Sequence, residues 1–145
     1  MRHEELVSKP HIVIVEDNPA DVLLLRMALD EQGEPYELTV LSDGAQALAF
    51  VQEYRLGMED DDPCAILLDL RLPKYDGLEV LRALKQEPSL ESVHVVMVTS
   101  GPVPSGDDAE IRALGGILRQ KPGSVPEVLS LAAYVLELCK EPALA

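Results

Sequence analysis

Short apolar, β-branched runs alternate along the chain with stretches of helical periodicity, and that alternation predicts βαβ units on a parallel sheet. Five runs fit strands, over residues 12–16, 36–41, 65–69, 94–99 and 117–120. Several are apolar nearly throughout, as strands covered on both faces should be. The expected architecture is a doubly wound α/β fold, a five-stranded parallel sheet with helices on both faces, in one domain.

The helices have their own punctuation. Asn18-Pro19 with Asp21 opens the first as an N-cap, a proline at the first helical position and an acid in the first turn, and Gly33 closes it. Ser42 and Asp43 compete to cap the second, which ends near Gly57, and the third is expected over 77–86. Two prolines and two glycines between 101 and 106 delay the fourth helix until about Asp107. The last helix, over 125–140, carries Val128, Leu129, Leu131, Ala132, Val135, Leu136 and Leu138, more apolar positions than one buried stripe requires, and the surplus suggests a partner surface.

Composition narrows the function. The chain has 145 residues with 26 acidic side chains against 12 Lys and Arg, a formal charge of −14 that repels nucleic acid. The run Glu59-Asp60-Asp61-Asp62 reads as a solvated loop. No stretch reaches the roughly 20 apolar residues of a membrane span, and the charged start Met1-Arg2-His3-Glu4-Glu5 lacks the pattern of a secretory signal, so a cytoplasmic protein is expected. Cys64 and Cys139 lie in apolar stretches and are expected as free, buried thiols. His3, His11 and His94 lack metal-ligand spacing, and no glycine-rich phosphate loop follows a strand.

In parallel α/β sheets reactive groups gather at the carboxyl ends of the strands. Here the first strand ends in Glu16-Asp17, the third in Asp69, the fourth in Thr99 with Ser100, and the fifth in Lys121. Crowded carboxylates repel one another, and a hard divalent cation such as Mg²⁺ relieves this through oxygen ligands. Glu16, Asp17 and Asp69 suit that cation, and Asp69 beside it can act as a nucleophile toward a phosphoryl donor, with Thr99 and Lys121 binding the remaining oxygens.

Each residue alone has a plainer explanation. Glu16 or Asp17 could help cap the first helix, Thr99 could be a β-former, and Lys121 a solvated lysine. Asp69 is harder to dismiss, because a charge after Ala65-Ile66-Leu67-Leu68 lies near a core and needs a cation or hydrogen bonds. The joint pattern at successive strand ends is what these explanations account for poorly.

With these residues in view, the chain resembles the receiver domains of bacterial two-component response regulators over 9–140. The matching blocks are Ile12-Val13-Ile14-Val15-Glu16-Asp17-Asn18, Leu67-Leu68-Asp69, Leu72-Pro73 with Asp76-Gly77, Val98-Thr99-Ser100 and Lys121-Pro122. The resemblance implies a flavodoxin-like receiver fold with Asp69 as phosphoacceptor. It implies that Asp17 and Asp69 ligate Mg²⁺, that Glu16 acts through water, and that Arg71 supplies its backbone carbonyl. Lys121 would pair with Asp69 or its phosphate, Thr99 would move toward the phosphoryl group, and the Lys121-Pro122 bond would be cis. Glu16 to Leu25 and the acidic insert before Cys64 resemble the small regulators paired with phytochrome-type histidine kinases. Leu118 stands where receivers commonly carry a switch aromatic, which shifts the expected response to the loop over 102–107 or the last helix.

The implied function is a phosphoacceptor with no output domain that signals through protein contacts or passes the phosphoryl group onward, with a sensor histidine kinase as donor. It is no enzyme beyond self-catalysed phosphoryl acceptance and autodephosphorylation. A two-fold homodimer through the fourth and fifth helices is a further expectation by analogy. Two other classes compete. A receiver-like interaction module would keep the fold without the chemistry, and a Mg²⁺-dependent phosphatase would want a second acid where Arg71 stands.

Overall fold

The computed structural model describes residues 9–58 and 62–140. The five strands are β1 (His11–Val15), β2 (Glu37–Leu41), β3 (Ala65–Asp69), β4 (His94–Thr99) and β5 (Ile117–Gln120), all parallel, in the order β2-β1-β3-β4-β5. The helices are α1 (Pro19–Glu31), α2 (Gly44–Arg55), α3 (Gly77–Gln86), α4 (Ser105–Ala113) and α5 (Val125–Leu138). The expected doubly wound α/β fold is present.

Period-two geometry divides the continuous apolar runs between two cores. Val13, Val15, Ile66, Leu68, Val95 and Met97 join Phe50 of α2, Leu81 of α3 and Ile111 of α4 on one face. Their alternates Ile12, Ile14, Ala65, Leu67, Val96 and Val98 join Leu25 and Leu29 of α1 and Ala132 and Val135 of α5 on the other. Both faces of the three inner strands are thereby dry, and the polar groups at their ends have only one direction left to face.

Several expectations change. The apolar surplus of α5 is absorbed inside the molecule: Val128, Leu131, Ala132, Val135 and Leu136 are buried, and Leu129 and Leu138 pack against the same core. Exposed large apolar side chains cluster instead on α1, at Leu23, Leu24 and Met27. Helix α4 begins at Ser105 rather than Asp107, because Pro104 takes the cap position and Asp107 and Asp108 then fall in the first turn, where acids suit the helix dipole.

Cys64 and Cys139 are not free thiols but a disulfide, with Cα atoms 5.2 Å apart and 75 residues between them in sequence. The expectation missed it because the fold alone brings the end of α5 over the start of β3. No peptide bond among the described residues is cis, so Lys121-Pro122 is trans, the form tertiary amides favour by about 0.5–1 kcal/mol. The Lys121 backbone N–H donates to Thr99 O at 2.7 Å with that bond trans. Three of the residues in the acidic run, 59–61, lie outside the described residues, as does the charged start, 1–5.

Candidate functional site

The site is built at the carboxyl ends of β1, β3, β4 and β5. Asp69 is the last residue of β3, paired in register with Val98 of β4, so its side chain emerges where the sheet stops. It is 7% exposed, and both carboxylate oxygens accept a hydrogen bond. The Arg71 backbone N–H donates to Oδ1 at 2.9 Å and the Lys121 ammonium to Oδ2 at 3.0 Å. An N–H on each oxygen is the compensation a charge beside a core requires.

Glu16 and Asp17 follow β1. Glu16 is buried and Asp17 exposed, and with Asp69 they bring one carboxylate oxygen each within 4.8 Å of one another. An all-oxygen, trianionic set of that size fits a hard divalent cation, and mutual repulsion disfavours leaving it uncompensated. Burial pushes the Glu16 carboxyl above its ordinary value. The Asn18 N–H and Lys121 work against that push, and the Asp69 charge adds to it.

Lys121 follows β5 and lies 3.0 Å from each of three carboxylates, on Glu16, Asp21 and Asp69. Burial alone would lower its pKa. Hydrogen bonds to those three acids more than offset this and hold it well above the ordinary lysine range.

Thr99, 1% exposed at the end of β4, donates its hydroxyl to Gly101 O at 3.2 Å and accepts from Gly101 N at 3.4 Å. It is thus tied to the β4–α4 loop. The exposed Arg71 sits in the β3–α3 turn with its N–H on Asp69. Leu118 of β5 pairs in register with Met97 and packs against the α2–α4 core.

Two residues gain roles their sequence signals only hinted at. Asp21 was legible as an acid in a helix's first turn, but its contact with Lys121 depends on where β5 ends. Gly77 opens α3 directly beneath the site loop. A Cβ there would lie 2.8 Å from Leu70 Cα and closer still to the Asp69 carbonyl oxygen, so the approach of α3 to the phosphoacceptor strand needs a residue without a side chain.

A buried aspartate at the end of the central strand, with two more acids and a lysine beside it and a threonine ending the next strand, on a 2-1-3-4-5 sheet, places the protein in the doubly wound flavodoxin-like class with its site at the carboxyl ends of the strands. Residues 12–115 match the response regulator receiver domain, and the chain belongs to that family. It is 43% identical over 89 residues to Response regulator Rcp1 of Synechocystis sp., a match covering 61% of this chain and 60% of that protein. Among solved structures, it resembles the phosphorylated cyanobacterial phytochrome response regulator RcpA with a TM-score of 0.79 and 29% identity, over 92% of this chain and 95% of that one. The Mn²⁺-bound form of Rcp1 superimposes with a TM-score of 0.74 and 32% identity, over 87% and 91% of the two chains. The chain is therefore a receiver related to phytochrome response regulators. No helix of the described residues is long and apolar enough to cross a membrane.

Proposed function

We propose that this chain accepts a phosphoryl group on Asp69 from the phosphohistidine of a partner sensor kinase, in a Mg²⁺-dependent reaction, and passes the resulting change to another protein through surface contacts. The observation that carries the reading is the environment of Asp69: a buried carboxylate, fixed by two N–H donors, within reach of two further acids and one lysine.

One Asp69 oxygen forms the new O–P bond as the P–N bond to the donor imidazole breaks, the electron pair leaving with the imidazole nitrogen. Asp17, Asp69 and the Arg71 backbone carbonyl would hold the cation, with Glu16 acting through water; when bound, Mg²⁺ neutralises charge on the transferring oxygens. Lys121 moves its hydrogen bond from Asp69 to a phosphoryl oxygen. Thr99 exchanges its contact with Gly101 O for another phosphoryl oxygen, which releases the β4–α4 loop at Gly101. Leu118 repacks where other receivers turn an aromatic ring. Attack of water on the acyl phosphate, self-catalysed by the same groups, restores the starting state.

Likeness to phytochrome response regulators supports a phytochrome-type histidine kinase as donor. Such a donor and its ATP place the work in the cytoplasm, in a chain organised as one receiver domain.

Intact mass after incubation with acetyl phosphate and Mg²⁺ tests the reading. One added phosphoryl group is expected in the wild type and none in Asp69→Asn or with a chelator. An unmodified wild type, under acetyl phosphate and under kinase transfer alike, would leave a receiver-like interaction module.

A further inference from the structure

The ammonium of Lys121 has three N–H donors and the structure gives each a carboxylate, on Glu16, Asp21 and Asp69, all at 3.0 Å. Two of those acids belong to the trianionic cluster with Asp17. The third does not. Asp21 stands in the first turn of α1, one turn beyond the cluster, where Asn18 caps the helix and the Asp21 N–H donates to Asn18 O at 3.1 Å. Among the described residues, the cation paired with its carboxylate is Lys121.

A lysine and a divalent cation make opposing demands on Glu16 and Asp69. An ammonium seated between the two acids satisfies the charge that would otherwise attract the metal, and its desolvated charge repels an incoming cation. A third anchor outside the cluster resolves the conflict, because it can retain the ammonium while Glu16 and Asp69 turn to the metal. The setting favours a firm hold. Asp21 and Lys121 border a small, mostly apolar cavity of about 60 Å³ lined in part by Leu24, Leu25, Leu67, Val98 and Leu131, so one side of the pair faces low polarity. The adjacent N-terminus of α1 also favours an anion at Asp21.

We propose that Asp21 is a positioning residue of the phosphoacceptor site, keeping its hold on the Lys121 ammonium when Glu16 and Asp69 turn to a divalent cation, so that the cation and Lys121 can occupy the site together. This rests on the proposed reading of Glu16, Asp17 and Asp69 as a cation site, and adds to it a residue outside that set which acts only through Lys121. When the Asp21 charge is removed, Lys121 is left with Glu16 and Asp69 as its anionic partners in the site and competes with the metal for them.

A double-mutant cycle on Mg²⁺ affinity, measured calorimetrically on the full chain, tests the proposal. The four proteins are the wild type, Asp21→Asn, Lys121→Met and the double variant, each checked by circular dichroism and cooperative unfolding to be folded at the assay temperature without Mg²⁺. Loss of a nearby negative charge weakens Mg²⁺ binding in either background by simple attraction, so the single variant decides nothing. The informative quantity is the difference between backgrounds. Asp21→Asn is expected to weaken Mg²⁺ at least about threefold more when Lys121 is present than when it is methionine. Equal weakening in both backgrounds, or none when Lys121 is present, would overturn the role of Asp21 while leaving the phosphoacceptor reading intact. Failure of the wild type to take up phosphoryl from acetyl phosphate or kinase would instead defeat that reading, whatever the affinity cycle shows.

Discussion

At Glu16 burial and pairing oppose each other within one side chain. Its carboxyl is raised chiefly by desolvation, even with the Asn18 N–H and Lys121 beside it. Folded Glu16 therefore holds a proton more tightly than it does in the unfolded chain, where its pKa is about 4.3. In the window between that value and the raised one, the native state binds more protons than the unfolded state, so the stability of the cation-free protein falls as pH rises through it. Urea midpoints of chelated wild type and Glu16→Gln, taken stepwise upward from about pH 4, should show this decline in the wild type alone, and parallel curves would refute it. The acids, hydroxyl and lysine of the site were legible because each follows a run that reads as a strand. Asp21 was legible only as a helix-start acid, since its contact is made between segments 100 residues apart in a chain whose order says nothing of distance.

Among the elements, α3 depends most directly on a single position. Its capping box is complete, with the Asp76 side chain on the Glu79 N–H and the Glu79 side chain on the Asp76 N–H, so the helix start is fixed from within. Gly77, immediately after the cap, is pressed against the backbone of 69–70. Gly77→Ala should cost about 1–3 kcal/mol by forcing that backbone aside. Gly106→Ala, in the first turn of α4 with nothing within 4 Å of the added carbon, should instead gain about 0.4–1 kcal/mol from a stiffer unfolded chain. Equilibrium urea unfolding of the two variants checks the contrast in sign. The limits of α3 were readable from Gly77 to Gln86 because local caps determine them. The apolar breadth of α5 misled because periodicity reports how wide a face is buried, without saying whether a sheet, a neighbouring helix or another molecule covers it.

For the molecule as a whole, the Cys64–Cys139 bond closes 75 residues of chain, from the start of β3 to the end of α5. The chain-entropy relation gives about 4.5 kcal/mol for a loop of that length, and measured effects often fall below it. Cys139→Ser, or reduction by a phosphine, should therefore lower the unfolding free energy by about 2–4 kcal/mol. Phosphoryl uptake should survive, because the bond lies at the amino end of β3 and Asp69 at its carboxyl end. Urea unfolding with and without reductant, alongside intact mass, measures both. A cytosol that keeps thiols reduced would hold the protein in its less stable form. The doubly wound topology was legible from alternation alone. The disulfide was not, because neither cysteine's neighbours in sequence carry information about the other.

The register of the sheet carries a further consequence for how a signal can leave. Val15 stands beside Leu68, Asp69 beside Val98 and Thr99 beside Gln120, on parallel strands whose spacing is about 4.8 Å. Those strands form a lattice, and the floor beneath Asp69 has its dimensions set by backbone hydrogen bonds that both apolar layers keep dry. A group added at Asp69 finds nothing below it that can yield. Whatever volume and charge it brings must be met from above, by rotation about side-chain bonds and travel of the loops that begin at Leu70 and Ser100. The rigidity of the floor thus gives the response its direction.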